Sequence, residues 1–154
     1  MLKPFVSKIL ITGGSGILGY NYVNQLSDKF NLYYIYNKNY IKIENAIGKK
    51  IDFLDKINLK NFLVKTQPNL IIHTIAESSV EKCEANQNLA YNKNIKIVKN
   101  LIDCSSSFKT KIIYISTDHL NTFYENSKPN IVNNYGKTKL KAEKIILNLC
   151  NNSL

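Results

Sequence analysis

Two short stretches carry residue types whose spacing could do chemistry. In Tyr135-Gly-Lys-Thr-Lys139 a phenol and an ammonium lie one helical turn apart, on one face of a helix. A free tyrosine titrates near ~10, too high for acid–base work at neutral pH. A neighbouring ammonium favours the phenolate and brings it toward the working range. The same lysine could hold ribose hydroxyls. Upstream, Ser116 and Thr117 close an apolar run, where the threonine hydroxyl could hold a substrate carbonyl beside the tyrosine. The second stretch is ITGGSGILGY, residues 11–20, with four glycines directly after another apolar run. Gly13, Gly16 and Gly19 form G-x-x-G-x-x-G. The first permits a tight turn, the second lets a pyrophosphate approach the main chain, and the third lets the following helix pack close to a sheet. The helix start at Ile17 and Leu18 would then offer unpaired N–H groups and the positive end of its dipole. Each motif is weak alone, because Y-x-x-x-K arises by chance in a chain with 10 tyrosines and 21 lysines. Their order along the chain makes them specific.

Positioning these residues calls for alternating strands and helices. Short apolar runs predict strands at 5–12, 32–36, 49–53, 69–76 and 110–117. Segments of helical period predict helices at 15–28, 57–66, about 86–105 and 133–150, with Pro68 ending the second. Ile17, Tyr20, Val23 and Asn24 share one face of the first helix. Leu140, Ile145, Ile146 and Leu149 form the apolar side of the last. The pattern is that of an α/β protein: a Rossmann-like, doubly wound parallel sheet of five strands in the order 3-2-1-4-5, within one domain spanning residues 1–154. Ligands of such sheets bind beyond the carboxyl ends of the strands, at the switch point, which is where the glycine loop falls.

A dinucleotide site raises the choice between NAD and NADP. An acid closing the second strand would bind the ribose 2′-hydroxyl of NAD. Here Asn37, Lys38 and Asn39 stand in that place. A cation flanked by amides suits a 2′-phosphate, so the expected cofactor is NADP in preference to NAD.

The totals narrow the partners. Net charge is +10, and every basic residue is lysine. Base and phosphate forks are read mainly by arginine, and the lysines are spread along the chain. The expectation is a solvated basic surface that can help an anionic cofactor, with no nucleic-acid partner. No apolar run is long enough for a bilayer and the amino terminus lacks a signal-peptide pattern, so no membrane partner and a cytoplasmic location are expected. Cys83, Cys104 and Cys150 are odd in number and widely spaced, with only two histidines, His73 and His119, to join them. They read as reduced structural thiols, with no metal site. His73, inside an apolar run, reads as a packed core histidine.

Taken in order, the glycine loop, "STD" at 116–118 and "YGKTK" at 135–139 resemble the extended short-chain dehydrogenase/reductases. The stretches "DFLD" (52–55), "PNLIIHTIAESSVEKCE" (68–84), "AYNKN" (90–94), "ISTDHL" (115–120) and "YGKTKLKAE" (135–143) resemble the dTDP-4-dehydrorhamnose reductase family more narrowly. The resemblance implies reduction of a keto group on a nucleotide-linked sugar by hydride from NAD(P)H. It implies that Thr117 orients the carbonyl, Tyr135 donates the proton and Lys139 anchors the nicotinamide ribose. Asp52 and the backbone of Phe53 would contact the adenine; Thr74, Ile75 and Ala76 would line the cofactor; Asn94 would serve structure. It leaves open an epimerase or dehydratase of nucleotide-sugars, and a non-catalytic NADP-binding subunit like the similar methionine adenosyltransferase regulatory protein.

Some positions depart from the family pattern. Glu77 stands where a tyrosine is common, and His119 where an aromatic usually follows "STD". The loop before Tyr135 lacks the F-D-G stretch often found there. The resemblance ends with the last helix, whereas the family continues into further strands and a smaller substrate domain. The expectations drawn from this are an exposed fifth-strand edge, poor turnover by this polypeptide alone, and a separate substrate-domain polypeptide or a second copy of the chain as partner, besides the nucleotide-sugar itself.

Overall fold

The run KILIT becomes β1, Lys8–Thr12, buried from Ile9 onward because the sheet is covered on both faces. The computed structural model describes residues 8–120 and 131–149. Residues 5–7 of the expected first strand, the segment 121–130 before Tyr135, and Cys150 therefore lie outside the described residues. β2 (Asn31–Tyr36), β3 (Ala46–Lys50), β4 (Leu70–His73) and β5 (Lys111–Tyr114) join β1 in one five-stranded parallel sheet, ordered β3-β2-β1-β4-β5 as the pattern predicts. The register sets Thr12 beside both Ile35 and His73, and His73 beside Tyr114. Four strands thus end level, making a flat carboxyl edge.

Helices cover the two faces. On one, Leu10, Ile35, Ile71 and Ile112 pack with α2 (Lys56–Thr66), α5 (Ile97–Ser105) and α6 (Asn134–Leu149) through Leu59, Leu63, Val98, Leu101, Ala142 and Ile146. On the other, Ile9, Ile11, Leu32, Tyr34 and Ile72 meet Val23 of α1 (Ile17–Leu26) and Ile43. α2 starts on an Asp55 carboxylate that accepts from the Asn58 amide at 3.1 Å. It stops at Gln67, left-handed at φ 45°, just before Pro68. Among the described residues no helix is long and apolar enough to cross a membrane.

Several boundaries differ from the expectations. β3 lies three residues earlier than predicted, because an edge strand needs few apolar residues. Its ladder pairing ends at Tyr36–Lys50, after which the Ile51 amide still donates to the Tyr36 carbonyl at 3.1 Å and Ile51 and Phe53 are buried in the core. On α1 the buried residues are Gly19 and Val23, whereas Ile17 is 89% exposed and Tyr20 also faces solvent. A glycine leaves no mark in a hydrophobic pattern, yet it is the face that packs closest. On α6 the buried stripe is Tyr135, Lys139, Ala142 and Ile146, with Leu140 and Ile145 only partly covered. A lysine had no place in an apolar side read from letters.

The helix expected at 86–105 is a continuous path built from α4 (Gln87–Tyr91), a π-helical turn at Asn92–Lys96 and α5; α3 (Val80–Ala85) precedes it. Asn94, in the π turn, is 1% exposed. Its carboxamide oxygen accepts from the Glu77 amide at 2.8 Å. Its nitrogen donates to the Glu77 carbonyl at 3.1 Å and to Thr138 Oγ1 at 2.9 Å. One side chain therefore pins the loop after β4 to α6, in keeping with a structural part. Asn94→Ala leaves the half-buried Glu77 main-chain groups without their partner and should lower unfolding stability by about 1–2 kcal/mol in urea titrations; a loss below about 0.5 kcal/mol would count against this pinning.

Candidate functional site

The glycine loop leaves β1 at Gly13, whose φ of +73° is left-handed. Gly13 carbonyl accepts from the Gly16 amide at 2.9 Å, closing the turn. A Cβ on Gly19 would fall onto the Gly13 carbonyl oxygen and lie 2.7 Å from its carbon, so α1 packs against the loop at backbone contact distance. Gly16 is the N-cap of α1, no side chain caps it, and its first turn holds no acid. The leading amides of α1 thus keep their donors and their positive end for a ligand.

A polar knot fixes the direction in which the loop departs. Thr12 Oγ1 and His73 Nδ1 share a hydrogen bond of 2.8 Å. The Thr74 amide donates to Thr12 Oγ1 at 3.2 Å, and Thr74 Oγ1 donates to the Thr12 carbonyl at 2.6 Å. β1 and β4 are therefore locked at the point where the chain reverses its winding. Burial, then the positive charge of Lys139, push His73 down to about 3, so the packed core histidine expected from the sequence is a neutral one.

Above this edge lies a cleft of about 630 Å³. Its walls include Gly13, Gly16, Ile17, Leu18 and Gly19 of the loop and α1, and Asn37 and Lys38 after β2. Asp52 and Phe53 follow β3, Thr74, Ile75 and Ala76 follow β4, and Tyr135 and Lys139 come from α6. The structure thus brings together every residue predicted to touch a dinucleotide. Thr117 does not line it; Ser116 does. The Thr117 hydroxyl lies 3.4 Å from Asp118 Oδ1 and accepts from the His119 amide at 3.2 Å. The Ser116 hydroxyl donates to Glu143 at 2.7 Å.

Asn39, expected beside Lys38, also lines the cleft; sequence reasoning missed Tyr36, Ser15, Ser78 and Lys93. Lys93 sits in the π turn, whose widened winding no periodicity of 3.6 would reveal. With it the described residues lining the cleft include three lysines, Lys38, Lys93 and Lys139, and among them the one carboxylate is that of Asp52. The excess of positive charge suits an anionic ligand.

At the far end, α6 begins where Asn133 Oδ1 accepts from the Gly136 amide at 2.7 Å, while Glu84 accepts from the Asn134 amide at 2.6 Å. This anchoring sets the rotation of the helix, which buries Tyr135 to 8% and Lys139 to 3% exposure. The Lys139 ammonium donates to the Ile115 carbonyl and lies 4.1 Å from the centre of the Tyr114 ring. Burial lowers it to about 8, with Glu143 acting in the opposite sense. Burial also raises the Tyr114 hydroxyl, helped by Tyr135 and Glu143. His119 meets the Tyr135 ring edge-on at 5.5 Å.

The family model for the RmlD substrate binding domain matches residues 7–154. The chain belongs to that family. Methionine adenosyltransferase 2 subunit beta of Danio rerio is 32% identical over 151 residues, which are 93% of this chain and 44% of that protein. A hypothetical dTDP-4-dehydrorhamnose reductase from Sulfolobus tokodaii has a solved structure with a TM-score of 0.82 and 32% identity, over 95% of this chain and 53% of that one. UDP-glucose 4-epimerase from Brucella ovis, solved in complex with NAD, gives a TM-score of 0.84 at 22% identity, over 92% and 47%, and shares the fold. The chain spans about half the length of these relatives.

For this RmlD-family chain the burial of Lys139 has a measurable pH signature. Folding below about 8 must bury a charged ammonium, whereas between about 8 and 10.5 the folded protein releases that proton and the unfolded chain retains it. Stability from this group therefore rises with pH across that window. Relative to Lys139→Met, the wild-type unfolding free energy should climb between those limits. A difference that stays flat would show that the ammonium is solvated.

Proposed function

We propose that the chain binds a nicotinamide dinucleotide, NADP in preference to NAD, and acts with it in reducing a keto group on a nucleotide-linked sugar. The observation that carries this is the continuity of one cleft from the glycine loop to Tyr135 and Lys139. The residues present fit such a cofactor: the loop has no Cβ where a pyrophosphate would approach, α1 is uncapped, and the cleft carries excess positive charge. NAD bound to the Brucella ovis epimerase, which shares the fold, supports the cofactor class.

Gly13, Gly16 and the amides at Ile17 and Leu18 would hold the pyrophosphate. Asp52 and Phe53 would flank the adenine, and Asn37 and Lys38 the adenosine ribose. Thr74, Ile75 and Ala76 would form the floor beneath the nicotinamide. When bound, the reduced cofactor supplies hydride to a carbonyl carbon. Tyr135 delivers the matching proton to the carbonyl oxygen from its hydroxyl. Lys139, held by the Ile115 carbonyl and the Tyr114 ring, anchors the nicotinamide ribose and favours the phenolate that remains. Thr117, next to the lining residue Ser116, would hold the carbonyl in place. We place this activity in the cytoplasm, in deoxysugar and surface polysaccharide synthesis, with a separate substrate-domain polypeptide or a second copy of the chain as partner.

The Danio rerio relative favours a second reading, a non-catalytic dinucleotide-binding regulatory subunit. A nucleotide-sugar epimerase, as in the Brucella ovis protein, is the third. Tyr135→Phe separates them. In a reductase it should cut oxidation of NADPH by a 4-keto nucleotide-sugar at least about 100-fold, while dinucleotide affinity stays within about twofold. A regulatory subunit would show no turnover with or without the phenol, and an epimerase would need no added reduced cofactor. Calorimetry detecting neither dinucleotide would sink all three. Lys38→Ala should weaken NADP by about tenfold and leave NAD unchanged; equal loss for both would remove the NADP preference.

A further inference from the structure

The sequence reading assigns three of the four clustered glycines. The fourth, Gly14, has a different neighbour: a Cβ there would lie 2.6 Å from both Cβ and Cδ2 of Tyr34. Gly48, in β3, stands at the other end of the same ring, where a Cβ would overlap the Tyr34 Cζ and hydroxyl. Tyr34 is thus seated between two glycines, fully buried in the middle of β2. Its hydroxyl is not idle. It donates to the carbonyl of Ile41, in the arc that connects β2 to β3. Burial first, then the nearby Tyr40 hydroxyl, push Tyr34 up to about 12, which keeps it a donor at any working pH.

The surroundings extend this hold. Tyr36 packs 6.2 Å from Tyr34 and 5.3 Å from Tyr40, ring centre to ring centre, so ring contacts run from the buried Tyr34 out to the exposed Tyr40 of the arc itself. The Gly14 amide donates to the Ile35 carbonyl at 3.0 Å, tying the glycine loop to the same strand. The residues that leave this bracket toward the cleft are Asn37, Lys38 and Asn39.

We propose that the Tyr34 hydroxyl is a positioning tether: by holding the Ile41 carbonyl it fixes the arc that brings Asn37, Lys38 and Asn39 to the cleft, and so sets how strongly the site prefers a ribose bearing a 2′-phosphate. Tyr34 touches no ligand; it acts through Lys38. The inference rests on the dinucleotide reading above and adds the element that sets its selectivity. The two glycines follow from it, since a ring must lie flat between loop and strand for its hydroxyl to reach the arc.

Tyr34→Phe keeps the ring and removes only the donor. Hydrogen exchange of the free protein should then quicken about fivefold or more at amides 38–45 while the β2 amides stay unchanged. Equal acceleration of both would mean a general loss of stability and would overturn the tether. Calorimetry with NADP and with NAD should show their affinity ratio falling about fivefold. In a double-mutant cycle, Lys38→Ala should cost less NADP affinity in the Tyr34→Phe background than in wild type. Unchanged exchange, an unchanged ratio, or an equal Lys38→Ala cost in both backgrounds would overturn the inference while leaving the dinucleotide reading intact. A wild-type chain that takes up neither dinucleotide would overturn that reading, and the exchange at 38–45, which needs no ligand, would still decide the tether.

Discussion

Backbone lies against backbone where α1 meets the glycine loop, and the rest of the site depends on that contact. With no Cβ on Gly19, the helix start comes within van der Waals reach of the Gly13 carbonyl and presents its amides directly over the carboxyl edge of the sheet. A larger residue there would lift the helix and carry its amides away from that edge. The Thr12–His73–Thr74 knot makes the approach rigid, because the two strands that flank the switch point share hydrogen bonds made through both side chain and main chain. Full burial keeps His73 neutral within that knot.

The opposite end of the cleft is governed by desolvation. α6 turns a lysine toward the sheet, where an apolar residue would be the ordinary choice, and compensates it with a main-chain carbonyl and a ring face. The nearest opposing charge that acts on it, Glu143, offsets only part of the burial cost. Held in this way, the ammonium gives up its proton at about 8, well below the ordinary lysine value of 10.5. Its helix is oriented by Glu84 and Asn133 at the amino end and by Asn94 from the π turn, so three separate elements agree on where Tyr135 and Lys139 face. The two ends of the cleft are thus set by different physics, close packing at one and a compensated buried charge at the other.

Much of this was legible beforehand. Strand order followed from the alternation of apolar runs and helical segments, because covering a parallel sheet on both faces leaves few topologies. That the glycine loop, the ends of the strands and the Tyr135–Lys139 pair would meet at one cleft was legible from motif and resemblance, since most of these residues follow the end of a strand or open a helix. What misled the reading was any residue whose part is defined by absence or exception. The glycine motif marks Gly19 as a point of close packing, but the hydrophobic period of α1 points to Ile17 and Tyr20, which face solvent. Lys139 is charged, so the buried side of α6 was drawn without it. Lys93 reaches the cleft only because the π turn breaks the helical period.

The sequence by itself determined the α/β architecture and the order of strands, glycine loop and Tyr–Lys pair, because these rest on local periodicity and on glycines and hydroxyls at fixed spacing. Only the tertiary structure decided that Gly14 and Gly48 make room for one tyrosine, that Thr12 and His73 share a bond across 61 positions, and that a lysine is buried against a ring. Those contacts join residues far apart in the chain, and their energies come from distances and desolvation that exist only once the strands lie side by side.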